Sequence, residues 1–141
     1  MAVKLICASH SPLMEFASPQ EQRKEQIVRE TFAQLAAEVK GYDPTLIITF
    51  GPDHFNGFFY DLMPSFCVGI RATAAGDWDY GKDNDKINVP EDTAIALVRR
   101  VLDEGVDVAY SYRMQADHGV TQPLHFLCGG QLDRYPTIPI F

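Results

Sequence analysis

Short apolar runs alternate with longer amphipathic ones along this chain, and two of the runs, residues 3–8 and 46–50, are apolar on both faces. A strand without a polar face has to be covered on both sides, which is the condition of a strand inside a parallel sheet. Residues 66–70, 106–110 and 137–141 read as three further strands. Between the first two runs, Ser18-Pro19-Gln20-Glu21 gives a helix start: Ser18 caps, Pro19 suits the first helical position, and Glu21 reaches back. Val28, Phe32, Leu35 and Val39 then recur at helical spacing, and Gly41 and Pro44 close the helix.

Residues 76–88 read as a polar, aspartate-rich loop. Pro90 opens a second helix with Ile95, Val98 and Leu102 inward, and Gly105 ends it. Residues 122–128 suggest a short helix closed by Gly129 and Gly130. Strands alternating with helices predict an α/β fold: a mainly parallel twisted sheet flanked by helices. Residues 3–8 and 46–50 should be neighbouring central strands joined by a right-handed crossover. The last residues, Ile138-Pro139-Ile140-Phe141, are apolar where a terminus is usually polar. The fold is therefore expected to be truncated at the C-terminus, with the natural chain continuing. An unpaired apolar edge left that way invites copies of the chain to associate, so a homo-oligomer is expected.

At 141 residues the chain fits a single domain. Its 19 acidic and 12 basic residues leave a net charge of −7, which argues against nucleic acid as a partner. No run approaches the ~18 apolar residues of a membrane helix, and the first apolar run is too short for an export signal. Cys7, Cys67 and Cys128 are odd in number, widely spaced and set among apolar neighbours. They are expected to be reduced core thiols, and the compartment the cytoplasm.

The four histidines are where chemistry is legible. His10 lies two residues beyond the first strand, His54 four beyond the second, and His118 in the loop after the strand at 106–110. The carboxyl ends of parallel strands share one edge, where such folds bind ligands, so these three should converge. Two neutral imidazoles at one edge suit iron, copper, nickel or zinc. On spacing alone, His10 and His54 read rather as capping or hydrogen-bonding residues, since they are far apart in sequence and no short zinc spacing is present.

Three segments narrow the choice. Ser9-His10-Ser11-Pro12-Leu13, then Pro52-Asp53-His54-Phe55-Asn56-Gly57-Phe58-Phe59-Tyr60-Asp61, then Met114-Gln115-Ala116-Asp117-His118-Gly119 with Gln122-Pro123-Leu124 occur in that order. Together they closely resemble the class III extradiol catechol dioxygenases, and the resemblance runs along essentially the whole chain. It implies that residues 1–141 are the N-terminal part of one such domain. It implies Fe(II) bound by His10 and His54, with His118 as the acid–base residue, a role that suits histidine as a residue type, whose unperturbed pKa of ~6.5 permits either protonation state near neutrality. The substrates implied are a small aromatic diol, a catechol of the 2,3-dihydroxyphenylpropionate type, and O2. The family's third ligand, a carboxylate, and its second catalytic histidine belong to the C-terminal half.

Asp53, Asp61 and Asp117 match no ligand position of the family. Asp53 and Asp117 are expected to orient neighbours by hydrogen bonds. Asn56 and Tyr60 offer polar groups near His54. Phe58, Phe59 and Tyr60 read as walls of an aromatic pocket, Phe58 and Phe59 equally as core filling, and His125 reads as a surface or packing histidine. Two other readings stay open: a metal-binding or interaction protein without catalysis on the same fold, and a zinc or copper hydrolase or phosphatase. No phosphate-cradling glycine loop supports the latter.

Overall fold

The computed structural model describes residues 2–11, 22–76 and 85–141. Among these residues, seven short strands and three helices follow in the order α1 (Gln22–Tyr42), β1 (Ile47–Phe50), β2 (Cys67–Gly69), β3 (Ala72–Ala74), β4 (Lys86–Ile87), α2 (Glu91–Asp103), β5 (Ala109–Ser111), β6 (Met114–Ala116), α3 (His118–Leu127) and β7 (Thr137–Ile140). They build an α/β fold with two mixed sheets, one ordered β1-β7-β2-β5 and the other β4-β3-β6. β1 with β7, β2 with β5, and β3 with β6 are parallel, while β3 with β4 and β2 with β7 are antiparallel.

The last strand in sequence is an inner one. β7 is buried along its whole length, although Pro139 removes a ladder donor from its middle. That loss confines its pairing with β2 to the bridge between Val68 and Ile140, beside reciprocal bonds of 2.8 and 3.0 Å between Cys67 and Phe141. Gly69 makes room for the ring, because a Cβ there would stand 2.8 Å from both Pro139 Cγ and Met114 Sδ. One core cluster packs Val39, Cys67, Met114, Val120 and Leu124 together, and a second gathers Val68, Ile70, Ala94, Val98 and Ile138.

Helix α1 buries Phe32 and Val39 and half-buries Val28 and Leu35, the stripe that periodicity predicts. Its proposed start at Ser18–Glu21 lies outside the described residues. Its end is turned by Asp43 at φ 49°, whose N–H returns to Val39 O, rather than by Gly41. Helix α2 is capped by Pro90 and followed by the left-handed Gly105, with Val98 buried and Leu102 half-exposed.

Four expectations are corrected. Residues 3–8 form no strand: Val3 and Leu5 are each 86% exposed, and β7, not this segment, is the neighbour of β1. The segment lies outside the sheets, tied at its start by Lys4 to Glu38 and by the Tyr42 hydroxyl to the Ala2 carbonyl. Apolar character specified a covered strand, but it could not specify which strand would take the place beside β1. β1 itself is consequently an edge strand rather than a central one, with Phe50 76% exposed. Cys7, carried on this segment outside the sheets, is exposed, whereas Cys67 and Cys128 are buried as expected. Finally, the loop expected at 76–88 contains β4, which pairs with β3.

Candidate metal and acid–base site

Three imidazoles from distant parts of the chain meet. The ring centres of His54 and His118 lie 4.3 Å apart, those of His10 and His54 5.2 Å, and those of His10 and His118 6.0 Å. Each arrives differently. His54 follows β1 by four residues, as expected. His118 is not in a loop after the strand at 106–110; it is the first residue of α3, directly beyond β6 in the second sheet. His10 ends the segment that stays outside the sheets.

Asp117 organises the meeting. It is fully buried and caps α3, with Oδ1 accepting from Gly119 N at 2.9 Å. Its Oδ2 accepts from the backbone N–H of His54 at 2.8 Å and from the Asn56 amide at 3.1 Å, and lies 2.9 Å from His54 Nδ1. A carboxylate only accepts, so Nδ1 carries the proton and the free lone pair of His54 is on Nε2. Burial alone would raise the Asp117 pKa, but the bonds from His54 N, Asn56, Gly119 and the His54 ring outweigh it and hold the carboxyl below its ordinary value.

The backbones of the two loops touch because glycine permits it. A Cβ on Gly119 would stand 2.7 Å from Pro52 O, and one on Gly51 would stand 3.0 Å from Gly119 O. Pro123, inside α3, has no N–H to offer the carbonyl four residues earlier, which is that same Gly119 O. Asp53 shapes the His54 turn from within, its two oxygens accepting from Gly57 N and Phe58 N at 3.0 Å each.

Among the described residues, His54, Asp117 and His118 each offer a donor atom, and these lie within 4.8 Å of one another. Two histidines and a carboxylate are the composition of the sets that hold non-haem Fe(II). The residues fit such an ion in a second respect. A metal needs neutral imidazole, and the His10 pKa is lowered by burial first, then by the neighbouring His54 and His118.

The remaining expected positions divide. Asn56 joins the cluster through Asp117, as described. Tyr60 does not: it is 87% exposed and packs on Phe55, ring centres 5.3 Å apart. Phe58 packs against the core, and Phe59 is half-exposed. Asp61 is exposed, and His125 packs edge-on against Phe126. A cleft of about 290 Å³ beside the His54 turn is walled by Pro52, Phe55, Phe58, Met63, Pro64 and Phe141, with Asp53 and Cys67. The Cys67 thiol is pushed up to about 11 by burial and by the Asp53 charge, so it is a protonated wall and not a nucleophile.

In the sequence Gln122 stands out only as part of a motif, yet its side chain reaches the His10 segment, its amide donating to Ser11 O at 3.2 Å. A buried glutamine on a helix four residues after a histidine carries no distinctive sequence signal.

The family profile described as the catalytic LigB subunit of aromatic ring-opening dioxygenase matches residues 4–141. The chain is 63% identical over 141 residues to the 2,3-dihydroxyphenylpropionate/2,3-dihydroxicinnamic acid 1,2-dioxygenase of Photorhabdus laumondii subsp. laumondii, covering 100% of the chain and 43% of that protein. It is 49% identical to the enzyme of the same name from Rhodococcus rhodochrous, and 45% identical to enzyme 2 of that name from Pseudomonas putida. Each of these two alignments covers 100% of the chain and 44% of the relative. The chain thus spans less than half the length of the curated relatives it matches. Among the described residues, no helix is long and apolar enough to cross a membrane.

Proposed function

Because the chain belongs to the family of catalytic LigB subunits of aromatic ring-opening dioxygenases, we propose that it supplies the N-terminal part of a non-haem Fe(II) extradiol dioxygenase domain. The reaction is the opening of a catechol of the 2,3-dihydroxyphenylpropionate type with O2, the substrate class named for its relatives. The observation that carries the reading is the convergence of His10, His54 and His118 around a buried, fully bonded Asp117.

In this reading His10 and His54 hold the iron. A nitrogen lone pair lies in its ring plane, and the His10 and His54 rings stand 5.2 Å apart and tilted at 54°. Those of His54 and His118 are nearly parallel at 17°, an arrangement of stacked rings rather than of two ligands aimed at one point. Asp117 acts as the orienting group for His54, since its oxygens already accept four N–H groups. His118, stacked on His54, is left to hold and move a proton beside the substrate. The apolar cleft along Phe55, Phe58 and Met63 suits the faces of an aromatic ring. Iron held there would supply a site where catechol and O2 meet; by the family resemblance, a third ligand and a second acid–base histidine belong to the family's C-terminal half.

The closeness of their donor atoms supports a second reading, with His54, Asp117 and His118 as the ligand set. One experiment tests both. In the full-length protein, His118→Gln should lower turnover of 2,3-dihydroxyphenylpropionate by ~10²–10⁴-fold, with iron content and catechol binding nearly unchanged. Loss of iron would make His118 a ligand, and unchanged turnover would end the acid–base role.

A cytoplasmic setting is supported by three unpaired cysteines. A homo-oligomer is supported by Ile48 and Phe50, large apolar residues exposed on the edge strand β1. Sedimentation of the full-length protein as a monomer would remove that assignment.

A further inference from the structure

We infer that Gln122 is a positioning residue for His10. The inference rests on the reading of His10 as a metal ligand and goes beyond it, to what keeps that ligand in place. His54 is held by Asp117, and His118 by the first turn of α3. His10 has no such scaffold beneath it, because residues 2–11 belong to neither sheet. What reaches the segment beside His10 is the side chain of Gln122, from the second turn of α3. Its Nε2 donates to Ser11 O, the carbonyl next in sequence to His10, at 3.2 Å.

Two features show that this bond is what the amide contributes. Gln122 is fully buried, and its Oε1 has no hydrogen-bond partner among the described residues. Turning the amide over would set Oε1 against Ser11 O, two acceptors face to face, so the assignment of the nitrogen is fixed by chemistry. An apolar side chain of the same length would fill the space without stranding an acceptor. The amide therefore costs the helix something, and the N–H given to Ser11 is its return. Through α3, one helix carries Asp117 at its cap, His118 at its first position and Gln122 one turn later. It thus braces all three histidines: His54 through Asp117, His118 directly, and His10 through Gln122.

The test uses the metal-free full-length protein titrated with Co(II), a spectroscopic stand-in for Fe(II), in the wild type, Gln122→Met, His10→Ala and the double variant. Thermal melting is measured alongside. Methionine keeps the length and volume but cannot donate. The expected result is a ~10–100-fold loss of Co(II) affinity in Gln122→Met, the range for residues that orient ligands, with melting of the metal-free protein unchanged or raised. A residue that only packs would lower both together. In the His10→Ala background Gln122→Met should add nothing, since its route to the metal is gone. If His10→Ala leaves Co(II) binding intact, the ligand reading of His10 falls and this inference with it. If His10→Ala weakens binding but Gln122→Met does not, or weakens it equally in both backgrounds, the positioning role alone is overturned.

Discussion

The His54–His118 half of the site and the His10 half are built on different principles. The first is set into the fold, on the end of β1 and the start of α3, with a buried carboxylate between them and glycine backbones in contact. The second is an extended segment laid against the molecule, with Val3 and Leu5 exposed, Ile6 partly buried on the core and Gln122 beside His10. The difference teaches that three residues which converge equally well need not be equally secure. One half draws its geometry from packing that the whole fold maintains, the other from a few local ties, so perturbations should separate them by size.

The largest effect should come from Asp117→Ala. It strips a fully buried acceptor from His54 N, the His54 ring, Asn56 and Gly119 N at once. Breaking such a buried arrangement from one side costs ~3–5 kcal/mol, and urea denaturation of the 141-residue chain should show it. A loss under ~1 kcal/mol would mean that the His54 half is no better braced than the other. Next in size is Gly119→Ala, whose new methyl meets Pro52 O at 2.7 Å. Overpacking against backbone costs ~1–3 kcal/mol. Gly41→Ala is the control: it lies within α1 with nothing within 4 Å of the added carbon, so it should gain up to ~1 kcal/mol of helix propensity. If both substitutions shift the urea midpoint alike, close approach of the two loops is not what Gly119 provides.

Acid should separate the halves by pH. The His10 pKa is lowered in the fold, so the unfolded chain binds more protons below ~6.5, and stability falls as pH drops through that value. The Asp117 pKa is lowered too, so its contribution is whole above ~3.9 and is lost only as pH falls through its lower folded value. Thermal melting of the metal-free chain should therefore decline in two steps, and His10→Gln should flatten the upper step while sparing the lower. An upper step that survives His10→Gln belongs to another group.

These contrasts also explain what the sequence could reveal. Helix α2 was legible because its start, inner stripe and stop are all local: Pro90, Val98 and Gly105. The strands β3 and β6, three residues each, were not. They exist by pairing Ala72–Ala74 with Met114–Ala116 across forty residues, and so short a run carries no period. The start of α3 was hidden for another reason: Gly119 and Pro123 both discourage a helix, and only the Asp117 cap signals it. The candidate residues His10, His54 and His118 were legible as motif positions, and their rings converge. The route by which they converge was not, since neither the second sheet under His118 nor the absence of residues 3–8 from the first can be read from hydropathy. Tyr60 shows the same limit, being near His54 in sequence and turned outward in space.

The smallest effect is the most diagnostic. Val3→Ser and Leu5→Ser place polar groups where the sequence calls for a buried strand and the structure leaves the side chains in water. Substitutions at such exposed positions change stability by less than ~0.5 kcal/mol. Truncating a buried leucine typically costs ~2–5 kcal/mol, so the two placements predict outcomes that barely overlap in error. Ile6→Ala calibrates the pair, because Ile6 packs partly on the cluster of Val39, Val120 and Leu124 and should cost more than either exposed neighbour. All three are measured by urea denaturation of the 141-residue chain, with hydrogen exchange of residues 3–8 as the companion readout. Small shifts with rapid exchange would keep His10 on a segment held by side-chain ties. A cost of ~2 kcal/mol or more at Leu5, with protected amides, would put residues 3–8 in the sheet. His10 would then stand at a strand end like His54, and the two halves would be secured by the same means.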